Sequence, residues 1–545
     1  MHSPRPIAYL TIVLVLFSSC AKQSMRSNPA TSVAQSRGDR SAVEEANRPA
    51  ATPASKLLHK DELAGKEADR FNREGYSRIV DNPFLRASEN PLSTFSIDVD
   101  TASYSNVRRF LTEGQLPPPD AVRIEELVNY FDYDYPQPAG KDPFSVTTEL
   151  SQSPWNSEHR LLHVGLQGKK IETESLPESN LVFLVDVSGS MDEPDKLPLL
   201  QSALSLLVEN LRDRDRVALV VYAGAAGVVL PSTGGDQRQD ILNAIQELSA
   251  GGSTAGGEGI VLAYEIAEKN FIRGGNNRVI LATDGDFNVG VSSDGDLERL
   301  IEAKRQGGVF LTVLGFGTGN YQDAKMELLA DKGNGNYAYI DSISEARKVL
   351  IDEMGGTLLT IAKDVKIQVE FNPAHVQAYR LIGYENRSLR AEDFNDDKKD
   401  AGEIGAGHSV TALYEIVPPG VSIDLPSVDA LQYQTRGAAG IGGSELLTVK
   451  IRYKDPDGEE SRLMSTPVAN EVEPLEETST DFRFAAAVAE LGMLLRSSEY
   501  KGNSSYQDAV ALARNAIGED EHGYRGDFVE LAQRAASLST SSEGR

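Results

Sequence analysis

Between residues 180 and 354 the chain alternates short apolar runs with longer amphipathic stretches, and few folds accommodate that alternation. The runs fall at 181–185, 217–222, 279–282, 309–314 and 337–340 and are rich in β-branched or aromatic residues. Strands without polar alternation are those buried on both faces. Helical spacing covers 197–211, 237–248, 257–270, 296–305, 324–330 and 344–354. The pattern predicts an α/β unit: a doubly wound, mostly parallel sheet with helices on both faces. Such sheets bind ligands outside the carboxyl ends of their strands.

Both flanks of this unit read differently. Upstream, 95–98 has strand character, 102–111 and 124–131 have helical spacing around a Pro117-Pro118-Pro119 break, and 144–150 and 161–166 alternate apolar with polar residues. Downstream, strand patterns return at 365–371, 410–417 and 446–453, and Ala-rich helical stretches follow at 481–495, 506–516 and 527–536. β segments on both sides of an α/β unit predict that the unit is inserted into a β-sandwich built by both flanks, with C-terminal helices after it. The expected divisions are 91–175 for an α+β flank, 179–356 for the α/β unit, 362–470 for a β-rich segment and 478–541 for the helical end.

The first ninety residues are of another kind. Residues 1–6 are weakly basic through Arg5, 7–17 form an apolar run too short to span a bilayer, and Ser18, Ser19 and Cys20 follow. That layout resembles a bacterial lipoprotein signal, with Phe17 where leucine is usual. The resemblance implies a signal peptide of residues 1–20, lipidation at Cys20, and a cell-envelope location. Ala21, not aspartate, follows the cysteine, which implies outer-membrane over inner-membrane sorting. Residues 21–90, rich in Ser, Ala, Arg, Asn and Glu, are expected to form a flexible tether with a short helix at 56–71. The membrane is then a partner only through the lipid anchor. The net charge of -27, from 54 Lys+Arg against 81 Asp+Glu, disfavours nucleic acid and anionic lipid surfaces. With a single cysteine, no disulfide scaffold or Cys-rich metal site can form.

Chemistry concentrates at the predicted strand ends. The run 181–185 leads into Asp186, Ser188 and Ser190; Thr254 lies in a glycine-rich turn; the run 279–282 leads through Thr283 into Asp284. In one parallel sheet these loops converge. Two carboxylates and three hydroxyls fill most of the oxygen shell of a hard divalent cation and leave a position open. In order and type, Asp186, Ser188, Ser190, Thr254 and Asp284 match the metal-ion-dependent adhesion site of the von Willebrand factor A (VWA) domain, and the unit resembles that domain. The resemblance implies that the serines and the threonine bind the metal, Mg²⁺ first and Ca²⁺ or Mn²⁺ otherwise. It implies that the aspartates act largely through water and that a protein ligand supplies a Glu or Asp carboxylate. In switching members of the family the element corresponding to 344–354 moves. The flanking stretches 94–104 (TFSIDVDTASY) and 405–416 (GAGHSVTALYEI) resemble bacterial VWA lipoproteins of the YfbK type, and the central domain is distantly similar to the inter-α-trypsin inhibitor heavy chains.

Other groupings carry less. Asp98 and Asp100 with Thr101 and Ser103 are expected to cap the following helix through Asp100 or Thr101, with a second cation as the alternative. Asp393, Asn395 and Asp397 have EF-hand-like spacing, but Lys398 occupies the position of the required glycine, which predicts a solvated acidic loop. Gly315, Gly317 and Gly319 lack the spacing of a dinucleotide loop, and 251–259 lacks the Lys-Ser/Thr of a P-loop, so no nucleotide is expected. The histidines, at 2, 59, 159, 163, 375, 408 and 522, lie outside the metal loops, and no G-x-S-x-G elbow contains Ser188 or Ser190. No catalytic residue is assigned. The expected function is metal-dependent capture of a protein partner at the cell envelope; a structural or assembly factor with a purely stabilising metal, and a metal-dependent hydrolase, are the alternatives.

Overall fold

The computed structural model describes residues 74–252, 256–285, 294–319, 321–353, 356, 359–425, 443–456 and 458–543. The expected signal peptide, Cys20 and the helix expected at 56–71 lie outside them. Strands β1 (Leu85–Arg86) and β2 (Leu92–Ser96) come first, then the helices Ala102–Thr112 and Ile124–Asn129, then the long hairpin β3 (Phe144–Ser153) and β4 (Asn156–Gly168). The central unit follows with β5 (Ser179–Asp186), β6 (Arg216–Tyr222), β7 (Ala226–Gly234), β8 (Asn276–Thr283), β9 (Phe310–Phe316) and β10 (Tyr337–Ile340). After it come β11 (Thr360–Phe371), β12 (Ala378–Ile382), β13 (Gly402–Gly405), β14 (Ser409–Val417), β15 (Glu445–Lys454) and β16 (Ser461–Ala469).

The central sheet has the order β10-β9-β8-β5-β6-β7 and is parallel except for β7. Its strands are apolar throughout because both faces are covered. On β5, Leu181, Phe183 and Val185 enter a core shared with the helices Leu197–Glu209 and Arg238–Gln246. Val182 and Leu184 enter the opposite core, shared with Gly256–Lys269, Asp294–Gln306 and Asp323–Lys332. At about 1.5–3 kcal/mol for each such side chain, these residues dominate the choice of register.

Both flanks build the sandwich, as the pattern predicted. One sheet runs β1-β12-β14-β4-β3; the other runs β13-β11-β15-β16, with β2 also paired to β11. Thus β4 from before the central unit pairs antiparallel with β14 from after it, Leu166 opposite Val410, and β2 pairs with β11, Phe95 opposite Ile367. Inward-facing residues such as Val164, Val369 and Ile451 fill the space between the sheets. The C-terminal helices Thr480–Leu495, Tyr506–Arg514 and Tyr524–Glu543 cover the N-terminal helices, and small residues including Ala485, Ala486 and Ala489 let the first of them pack closely. No helix among the described residues is long and apolar enough to cross a membrane.

Several expectations change. Residues 74–90, assigned by composition to the tether, lie against the folded body: Glu74 pairs with Arg109, Asn82 donates to the Leu381 and Gly383 carbonyls, and β1 pairs with β12. Polar contacts hold much of this segment, so its low apolar content was misleading. β7, β12, β13 and β16 were not anticipated. β7 and β16 are partly exposed edges, and β12 and β13 are too short to show a period. The helix expected at 344–354 is α-helical only over Ile343–Arg347 and continues as a π-type turn, Lys348–Asp352.

This last element of the central unit is pinned from both flanks. Arg108 donates to Asp341 and, at 2.8 Å, to Glu345, which also accepts the Tyr130 hydroxyl at 2.8 Å. Lys348 Nζ lies 4.7 Å from the Tyr130 ring and 5.3 Å from that of Tyr524, whose hydroxyl donates to Asp352 at 2.8 Å. The acidic loop at 393–397 is likewise tied down. Arg390 and Arg452 donate to Asp393 and Asn395, and Ser461 donates to Asp397.

His163 on β4 is fully buried, 2.7 Å through Nε2 from the Tyr135 hydroxyl, while its Nδ1 has no hydrogen-bond partner. Burial pushes its pKa down from 6.5 to about 4. The unfolded chain therefore binds a proton here as pH falls through 6.5, whereas the folded chain holds back until about 4. Stability from neutral His163 is complete above that window and is lost on acidification, by about 2 kcal/mol between pH 7 and 5. His163→Phe is expected to flatten the pH dependence of the unfolding free energy from urea titrations by that amount; an unchanged slope contradicts the assignment.

Candidate metal centre

β5 and β8 are parallel neighbours in a register that pairs Val185 with Ala282. One step further, Asp186 stands opposite Thr283, and Asp284 follows. On the other side, β6 pairs Tyr222 with Asp186. Register alone therefore gathers two strand-end carboxylates and their nearest donors at one edge of the sheet. Asp186 and Asp284 are both fully buried.

Each carboxylate is held. Asp186 Oδ1 accepts the Ser188 N–H at 2.8 Å, and Oδ2 accepts the hydroxyls of Tyr222 at 3.1 Å and Thr283 at 3.4 Å. Asp284 Oδ2 accepts from Lys196 Nζ at 3.0 Å, and Lys196 is itself buried. The lysine stem runs across Gly317, whose φ is +71° and where an added Cβ would fall 2.3 Å from Lys196 Cε. Burial pushes the Asp186 carboxyl up to about 6; the Ser188 N–H opposes the rise and the charge of Asp284 adds to it.

The loops converge by backbone hydrogen bonds. Val187 N–H donates to the Tyr222 carbonyl at 3.0 Å, Gly251 N–H to the Val187 carbonyl at 2.7 Å, and Gly189 N–H to the Gly252 carbonyl at 3.1 Å. Gly252 has φ +92°, a conformation that suits glycine. The glycine-rich turn is thereby docked onto the Asp186–Ser190 loop. Thr254, two residues beyond Gly252, lies outside the described residues. Ser188 is buried and Ser190 exposed, and their hydroxyl oxygens are 3.0 Å apart.

The donor set suits a hard divalent cation: all its ligand atoms are hydroxyl or carboxylate oxygens, and its two negative charges are already out of water. The structure brings together Asp186, Ser188, Ser190 and Asp284. Tyr222, Thr283 and Lys196 were not anticipated. Tyr222 ends the run 217–222, so matching strand ends would have found it; Lys196 carries no such signal.

The other candidates resolve differently. Thr101 stands at the N-terminus of Ala102–Thr112 but its side chain makes no capping bond. Asp100 accepts the Tyr337 N–H at 2.8 Å and Arg387 at 3.2 Å, so its acceptors are used by the central unit and the downstream flank instead of at the helix. Ser103 donates to the Ala121 carbonyl and accepts the Arg123 N–H. Gly319, at the loop after β9, donates to Glu74 at 3.1 Å.

A mostly parallel sheet with an Asp-x-Ser-x-Ser loop at its carboxyl edge defines a VWA domain, and the family model described as the von Willebrand factor type A domain matches residues 180–352. A second, described as von Willebrand factor, matches residues 70–163, and a third, described as the C-terminal part of the uncharacterized protein YfbK, matches 356–538. The chain is 49% identical over 477 residues to the uncharacterized protein YfbK of Escherichia coli K12, covering 86% of this chain and 82% of that one. It belongs to the YfbK family of VWA-domain proteins. Human inter-alpha-trypsin inhibitor heavy chain H4 is 28% identical over 193 residues, 33% of this chain and 20% of that one. Among solved structures, a von Willebrand factor type A protein from Catenulispora acidiphila has a TM-score of 0.41 at 18% identity, covering 71% of this chain and 89% of that one.

The Lys196–Asp284 pair is open to a direct test. Lys196→Met leaves a buried carboxylate without this cation and is expected to cost about 3 kcal/mol in metal-free buffer. Asp284→Asn in the same chain is expected to recover most of that loss. A double-mutant cycle of urea unfolding with a coupling below about 0.5 kcal/mol removes the pair from the argument.

Proposed function

We propose that this protein is a lipid-anchored component of the cell envelope whose VWA domain captures a protein partner through a divalent cation held by Asp186, Ser188, Ser190, Thr254 and Asp284. The observation that carries this reading is the pair of fully buried strand-end carboxylates, Asp186 and Asp284, beside the Ser188–Ser190 hydroxyl pair and the docked Gly251-Gly252 turn. Buried carboxylates are costly unless they are paired or coordinate a metal; Lys196 pairs Asp284, whereas Asp186 accepts from neutral donors. A cation bound there supplies an open coordination position to a partner's Glu or Asp, with Mg²⁺ the first choice and Ca²⁺ or Mn²⁺ the others. Membership of the VWA class supports an interaction role over catalysis. Cys20 is the proposed lipidation site, with the outer membrane the proposed destination and the folded part in the periplasm or at the surface.

Crosslinking in intact cells, followed by recovery of the chain in Mg²⁺, in EDTA and as Asp186→Ala, tests the reading. One envelope protein crosslinked in Mg²⁺ and lost in both other arms is the expected result. Equal recovery in all three removes the metal from partner binding. If EDTA and Asp186→Ala lower the melting temperature without altering recovery, the metal is structural and the protein is an assembly factor. Cys20→Ser is expected to abolish incorporation of labelled palmitate; retained label assigns the anchor elsewhere.

A further inference from the structure

A second group of carboxylates lies away from the strand ends, where the N-terminal flank meets the central unit. Asp98 follows β2, Glu126 lies on the helix Ile124–Asn129, and Glu327 lies on the helix Asp323–Lys332. Each offers a carboxylate oxygen, and the three oxygens lie within 4.8 Å of one another. Asp98 and Glu126 are buried and Glu327 is nearly so.

The protein's own cations do not balance this junction. Arg123 pairs with Glu126 and Asp323 and lies 3.9 Å from Glu327. Arg387 reaches Asp98, Asp100 and Glu327 at 3.2–3.3 Å and also pairs with Asp331. Six carboxylates thus share two guanidiniums. The hydrogen bonds repeat the imbalance at one atom. Asp98 Oδ1 accepts from Arg387 and from the Asp100 N–H, whereas Asp98 Oδ2 is buried with no hydrogen-bond partner. A buried carboxylate oxygen that no donor reaches costs the full desolvation penalty of a charged group.

We infer that Asp98, Glu126 and Glu327 form a second divalent-cation site, of calcium type, that ties the N-terminal flank to the VWA domain. All three ligands are hard oxygens. An ion with oxygen ligands at about 2.3–2.6 Å spans the separation at which these oxygens stand. It would give Asp98 Oδ2 a partner and neutralise two of the excess charges. The second cation offered by the sequence at Asp98 and Asp100 is thereby relocated: Asp98 belongs to the group of three carboxylates, and Asp100 does not. The inference is independent of the site at Asp186. The competing way to neutralise the cluster is to bind protons, which leaves no metal to count.

The test is a metal count on the full chain, stripped with EDTA and equilibrated with Ca²⁺, by inductively coupled plasma mass spectrometry. The Asp186→Ala chain is expected to keep one Ca²⁺ per chain. Adding Glu126→Gln, or Glu327→Gln on the more exposed helix, is expected to weaken that binding by about tenfold or more and to abolish the Ca²⁺-dependent rise in melting temperature. If Glu126→Gln does not fold, Glu327→Gln decides. An Asp186→Ala chain that binds no Ca²⁺, or whose Ca²⁺ survives Glu327→Gln unchanged, overturns the proposal. Failure at the strand ends reads differently: wild type then binds one ion, indifferent to Asp186→Ala and lost in Glu327→Gln.

Discussion

The register of β5 between β6 and β8 is the constraint on which the rest of the candidate centre depends. Apolar residues that alternate between two cores set it, since a one-residue slip would send Val182 and Leu184 into the space shaped for Leu181, Phe183 and Val185. With register settled, the strand has no freedom left at its carboxyl end. Asp186 must stand between Tyr222 and Thr283, and Asp284 must begin the neighbouring loop. Two buried carboxylates at one sheet edge are unfavourable in themselves. They persist because hydrophobic burial along the strands outweighs them, and because Tyr222, Thr283, Ser188 and Lys196 meet their oxygens.

Insertion into the sandwich has a mechanical consequence. Both flanks close on the last element of the central unit. To move the segment from Ile343 to Asp352, the Arg108 pairs with Asp341 and Glu345 must break, the Tyr130 bond to Glu345 must open, and Lys348 must leave two aromatic rings. A ligand that shifted the segment would have to bind the shifted state better by the cost of all of these. The flanks thus brace this element against displacement.

Legibility in the sequence followed burial symmetry. The central strands were readable because helices cover both of their faces, which leaves an uninterrupted apolar run. The gathering of four of the five candidate residues was readable because Asp186, Ser188 and Ser190 are close in the chain and Asp284 follows a strand of the same kind. Lys196 was not readable: it lies 88 residues from Asp284, and its approach depends on the path of its stem over Gly317. Residues 74–90 failed for the opposite reason. They are held by pairs such as Glu74–Arg109, by the β1–β12 ladder and by scattered apolar contacts of Tyr76, Phe84 and Ala87, which together leave no periodic apolar signature. The role of Asp100 was misjudged because a carboxylate just before a helix suggests a cap, and only the fold shows Arg387 and the Tyr337 N–H competing for it.

Lys196 also changes what the proposed centre can attract. Asp186 and Asp284 alone would cancel a divalent cation and leave a neutral site, with little long-range pull on a partner. The ammonium beside Asp284 adds a positive charge in a buried setting. There a unit charge at about 4 Å is worth about 4 kcal/mol at an effective dielectric near 20, against about 1 kcal/mol in water. The loaded site would then carry a net positive charge within a chain whose overall charge is -27. A broadly acidic surface repels acidic partners at long range, so an acidic residue would have to be presented by a partner whose remaining contact surface is neutral or basic. On the proposed reading, local attraction and global repulsion together would select for a single exposed carboxylate, not for an acidic tract.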